Sequence, residues 1–86
     1  MHHDRVADEL ERYVRANFLD GDEDEGLSRT TPLLQWGVLN SMNTALLLMH
    51  IRDHLGVEVP PTELNGTNFR DLDSITDLVV GLAAGR

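Results

Sequence analysis

The sequence predicts an all-α protein, a bundle of three main helices and one short one, with a long loop between the first two. Three observations predict it. Apolar residues recur at helical spacing in three separate stretches. Glycine, proline and short polar residues separate those stretches. No stretch alternates apolar and polar residues long enough to make a strand; Val57-Glu58-Val59 is too short. Eighty-six residues suffice for a single domain, 1–86, with a modest core. Aromatic residues are only 5 % of the chain against 41 % apolar residues in all, so that core must be aliphatic.

The first helix carries Val6, Leu10, Val14 and Phe18 at steps of four, with Tyr13 beside them. Asp4, Asp8 and Glu9 lie near its start, where the helix dipole favours negative charge. It ends near Asp20-Gly21. The acidic, glycine-bounded run Asp22 to Gly26 reads as a solvated loop. Its resemblance to an EF-hand fails, because glycine falls one place late and Thr31 stands where the bidentate glutamate is needed. Leu27, Leu33, Leu34 and Trp36 then lie scattered among polar residues, Pro32 and Gly37. They suit a connection that pins a few side chains into the core, with Trp36 as an anchor.

The second helix is the clearest element. Ser41 stands at its cap, Met42 to Leu55 form its body, and Gly56 stops it. Leu47, Leu48, Ile51 and Leu55 make a core-facing set. Met42, Leu46 and Met49 make a second apolar set displaced around the helix. Val57 to Pro61 is extended, because residues before proline avoid the α region. Pro61 opens a short helix to Asn65, closed by Gly66. Phe69 and Leu72 are connecting core residues. The last helix is capped at Asp73/Ser74 and runs through Ile75, Leu78, Val79 and Leu82.

Charge and composition narrow the function. The net charge is −8, and the seven basic residues are all arginine. Such a surface repels phosphate backbones and offers no basic stripe, so nucleic acid is not an expected partner. There is no cysteine, hence no disulfide, no thiol nucleophile and no zinc–thiolate site. Met1-His2-His3-Asp4 is followed by no apolar signal-peptide core. The longest apolar run, Ala45 to Met49, is too short to span a bilayer. The expectation is a soluble, cytoplasmic monomer without membrane insertion.

Gly37-Val38-Leu39-Asn40-Ser41-Met42 is the constellation that bears on chemistry. It sets a serine hydroxyl at the start of an apolar helix, just after a glycine turn. The free N–H groups and the positive dipole end there favour a phosphate. By itself, a serine at that place is more often a cap than a modification site. His50 and His54 stand four apart on one helix, a spacing able to bind metal, but no glutamate stands between them in the required place and no third ligand lies nearby, so they read as surface or boundary residues. No metal is expected. No serine–histidine–aspartate triad is laid out, and so small a bundle cannot enclose a substrate.

Taken together, these pieces resemble the acyl carrier protein and peptidyl carrier protein superfamily, from about Val6 to Leu82. The matching segments are the first helix, the acidic loop, Thr31-Pro32-Leu33-Leu34, and Gly37 to Met42. Leu47-Leu48, Leu55 to Pro60, Asn68-Phe69-Arg70, Ile75 and Leu78-Val79 complete them. Leu39 to Met42 and the later Leu-Gly-Val-Glu-Val-Pro look especially like D-alanyl carrier proteins and free-standing carriers of secondary metabolism.

The resemblance implies an acyl-carrier-like four-helix bundle with 4′-phosphopantetheine, taken from coenzyme A, on Ser41. Gly37, Leu39, Asn40 and Met42 would form the flanking motif. A phosphopantetheinyl transferase would attach the arm. An adenylating ligase or acyltransferase would load cargo as a thioester. Downstream tailoring or condensing enzymes of a nonribosomal peptide or polyketide pathway would use it, and the chain itself would catalyse nothing.

This chain departs from the family twice. Asn40 replaces the family's aspartate, and Asp53 is the only acid between Ser41 and Gly56. Docking would therefore rest on apolar contact, through Met42, Leu46 and Met49, unless those three are core. An amino acid or small carboxylate is the favoured cargo. The alternative is an unmodified helical adaptor that uses the same apolar surface.

Overall fold

A computed structural model describes residues 2–18 and 27–85. Helix α1 is His3–Phe18, α2 is Ser41–His50, and α3 is Leu72–Ala83. A π-helical turn, Ile51–Leu55, extends α2, and a short 3-10 turn, Pro61–Glu63, lies between α2 and α3. No strand occurs among the described residues. None of the described helices is long and apolar enough to cross a membrane.

The periodicity of α1 does what its spacing requires. Val6, Leu10 and Val14 are buried on one face, with Tyr13 and Phe18 packed at its edge. The expected end of this helix at Asp20-Gly21 and the acidic loop to Gly26 lie outside the described residues.

Residues 27–40 wrap the bundle. Leu27, Leu33, Val38 and Leu39 are buried. Arg15 donates to the Leu27 carbonyl at 3.0 Å. Arg29 reaches Asp4 and Asp8 of α1, while its own carbonyl accepts the Asp73 N–H of α3 at 3.0 Å. The loop thus fastens both outer helices. Two expectations fail here. Leu34 is 46 % exposed and Trp36 is 56 % exposed, so neither is pinned in the core. A tight turn causes this. The Trp36 N–H donates to the Pro32 carbonyl and the Val38 N–H to the Leu33 carbonyl. Burying Leu33 and Val38 at its two ends pushes the residues between them outward.

Helix α2 and its π-helical extension bury Leu47 and Ile51 completely, with Leu48 and Leu55 packed against the core. Gly56, at φ 70, ends the π-helical turn in the left-handed conformation that glycine adopts without steric cost. The cap of α2 is Asn40, not Ser41. Asn40 is extended, and its side chain accepts the Asn43 N–H at 2.8 Å. Ser41 is the first helical residue.

Val57 is buried. The turn after Pro61 is three residues of 3-10 helix rather than a helix to Asn65. Asn65 Oδ1 accepts the Asn68 N–H, and this local bond competes with further helix. Helix α3 starts earlier than the Asp73/Ser74 cap anticipated. Asp71 is the cap, accepting the Ser74 N–H at 2.8 Å, and Leu72 is the first helical residue. Leu72, Ile75, Leu78 and Val79 are buried in the common core, where α3 lies against α1. The Thr76 hydroxyl, also buried, is satisfied by the Leu72 carbonyl at 2.7 Å.

Candidate functional site at the head of the second helix

The site begins with two buried anchors. Val38 and Leu39 sit in the core immediately before α2, and both donate their N–H to the Leu33 carbonyl. Gly37, at φ 75, supplies the left-handed step that brings the chain into this position. Asn43 reaches back from the first turn of α2, its amide donating to the Val38 carbonyl at 2.9 Å. The backbone on either side of Ser41 is therefore held at a fixed place, while Asn40, Ser41 and Met42 are exposed.

The polar groups at this helix end are unequally used. The Asn40 side chain takes the Asn43 N–H, and the Asn40 carbonyl takes the Thr44 N–H at 2.8 Å. The N–H groups of Ser41 and Met42 have no acceptor among the described residues. No acidic residue occupies the first turn. Two free donors and the positive dipole end thus face solvent beside the Ser41 hydroxyl, with no carboxylate in the first turn to repel an anion. A phosphodiester on that oxygen would be accommodated sterically and electrostatically.

Apolar surface runs along α2 from this point. Met42 is 72 % exposed, Met49 51 % and Leu46 41 %, so the second apolar set of α2 faces outward. Leu34 and Leu64, also exposed, line a shallow cavity of about 210 Å³ with Thr44, Asn65, Gly66 and Phe69. Sequence reasoning missed Leu34 and Leu64 as surface residues. They lie in loops, where no periodicity reports which way a side chain faces.

His50 is a boundary residue and His54 a surface one, within the surface-or-boundary reading. His50 stacks between Tyr13, at 4.0 Å between ring centroids, and His54, at 4.4 Å. Its Nε2 lies 3.1 Å from Glu9 Oε1 on α1. Burial, and the neighbouring His54, hold the imidazole below its ordinary pKa despite Glu9.

The phosphopantetheine attachment site family matches residues 6–79. The chain belongs to this family of carrier proteins. Its cofactor is a covalently attached 4′-phosphopantetheine, and a member of the family is a non-catalytic carrier. The exposed serine at the head of α2, the N–H groups unpaired among the described residues and a first turn without acids fit such a group. The arm supplies a thiol, which this cysteine-free carrier lacks. The carrier is similar to a probable acyl carrier protein, PigG, of Serratia sp. (strain ATCC 39006). The two are 29 % identical over 79 residues, 92 % of this chain and 90 % of the relative. A chain in a crystal structure of an FAD-dependent dehydrogenase superposes with a TM-score of 0.77 at 32 % identity. The match covers 83 % of this carrier and 99 % of that chain.

Proposed function

We propose that Ser41 bears the phosphopantetheine arm and that the carrier presents an acyl or aminoacyl thioester to enzymes of a type II natural-product pathway. The observation that carries this reading is the Ser41 hydroxyl. It is exposed on the first residue of α2, beside two free N–H donors, on a backbone locked by Val38, Leu39 and Asn43. The thioester keeps the cargo near partner enzymes at high effective concentration. A phosphopantetheinyl transferase installs the arm, and an adenylating ligase or acyltransferase loads it. The favoured cargo is an amino acid or another small carboxylate. The likeness to a chain from an FAD-dependent dehydrogenase crystal supports a flavin dehydrogenase among the downstream tailoring enzymes.

Intact mass tests the assignment. Incubated with coenzyme A and a broad-specificity transferase, the wild type should gain one phosphopantetheine, and Ser41→Ala should gain none. A wild type that never gains mass with any transferase, or a Ser41→Ala variant that still does, overturns it. The exposure of Met42, Leu46 and Met49 supports their use as the docking face. Leu46→Glu should leave the fold intact and slow loading by the cognate ligase. A carrier acting only as an unmodified adaptor would instead keep its biological role in Ser41→Ala and lose it in Leu46→Glu.

A further inference from the structure

The fold assembles three metal-ligating side chains far from Ser41. Glu9 of α1 comes against His50, the last residue of α2, and His54 of the π-helical turn. One ligand atom from each lies within 4.8 Å of the other two. We propose that Glu9, His50 and His54 form a divalent transition-metal site that ties α1 to the end of α2, with zinc as the reference ion.

The donor chemistry supports this. Two imidazoles four residues apart and a carboxylate from a second element make a His2Glu set, which suits zinc and leaves one coordination position open. His50 is already oriented. Tyr13 stacks on one face of its ring, its side chain is only 9 % exposed, and its Nε2 points at Glu9 Oε1 at 3.1 Å. Zinc takes the place of the proton between those two atoms, and that proton passes to Nδ1 or to solvent.

His54 is the adjustable ligand. Its ring lies against His50 with 28° between the planes. A metal lies in the plane of each imidazole it binds, so His54 turns out of the stack to coordinate. It is exposed, and nothing packs over it to prevent this. Ligand distances of about 2.0–2.2 Å bring tetrahedral donors to roughly 3.4 Å apart. Rotation of the Glu9 and His54 side chains is the movement the site needs to close that gap from the present 4.8 Å limit. Glu9 and His54 also line a cleft with His2, Arg5, Asp8 and Arg12. The two arginines disfavour purely ionic binding of magnesium or calcium. They weigh less against an ion held by coordinate bonds to nitrogen.

The test uses the full carrier and zinc chloride, followed by thermal melting and native mass spectrometry. His2 and His3 offer a competing terminal site, so a His2→Ala/His3→Ala variant serves as the second background. Expected results are one zinc per chain, a melting midpoint raised by several degrees in both backgrounds, and no such rise with magnesium or calcium. His54→Ala and Glu9→Gln, both at positions outside the core, should lose most of the rise while remaining folded. Ser41→Ala should keep it, since the site is independent of the arm. Zinc stabilisation that disappears in His2→Ala/His3→Ala, or that survives intact in His54→Ala, overturns the proposal. So does an absence of zinc binding by the wild type.

Discussion

Asn40 shows how one residue divides two roles. Its side-chain oxygen caps α2, a task an aspartate would perform with the same geometry. The substitution therefore keeps the cap and discards only the charge. Asn40→Ala should cost about 1 kcal/mol, the usual loss of a helix cap, read from urea denaturation midpoints. Asn40→Asp should stabilise the unmodified carrier by roughly 0.3–1 kcal/mol, because a carboxylate meets the positive end of the helix. On the phosphopantetheinylated carrier that gain should shrink, since the new charge then faces a phosphodiester. Equal gains in both forms would mean that Ser41 does not hold the phosphate beside Asn40.

At the scale of elements, α2 has two apolar faces with opposite fates. Leu47 is fully buried, whereas its neighbour Leu46 is 41 % exposed. Leu47→Ala should cost about 2–5 kcal/mol, as a truncation in a packed core does. Leu46→Ala should change stability by less than about 0.5 kcal/mol, in line with surface substitutions. Paired denaturation curves check the contrast, and similar losses at both sites would contradict the packing described. The long loop is likewise split. Leu33 and Val38 fasten it inside while Leu34 and Trp36 stay outside, because the turn between them reverses the chain.

Across the whole molecule, acid should loosen the bundle through the cap of α3. Asp71 is nearly buried, which by itself would raise its pKa. The hydrogen bonds from Ser74 and the nearby Arg70 overcome this and hold it below the ordinary carboxylate value. The ionised form is thus favoured by folding. Its contribution is complete above the unfolded-state value near 3.9 and fades as pH falls from there through the folded-state value. Melting midpoints measured across that range should drop with acid. Asp71→Asn, which keeps a capping oxygen, should flatten that part of the profile. An unchanged acid limb in Asp71→Asn would show that other carboxylates dominate.

Much of this protein was determined locally. The steps of four in α1, the second helix with its glycine stop, and the serine at its head follow from period, caps and breakers, which act over a few residues. Cap positions shifted by one to three residues, because Asn40 and Asp71 compete with Ser41, Asp73 and Ser74 through hydrogen bonds whose geometry decides the winner. The outward turn of Leu34 and Trp36, the exposure of Met42, Leu46 and Met49, and the meeting of Glu9 with His50 and His54 were decided only by tertiary structure. Each depends on which helix covers which face, and that is a property of packing between residues far apart in the chain. A one-dimensional pattern records only neighbours.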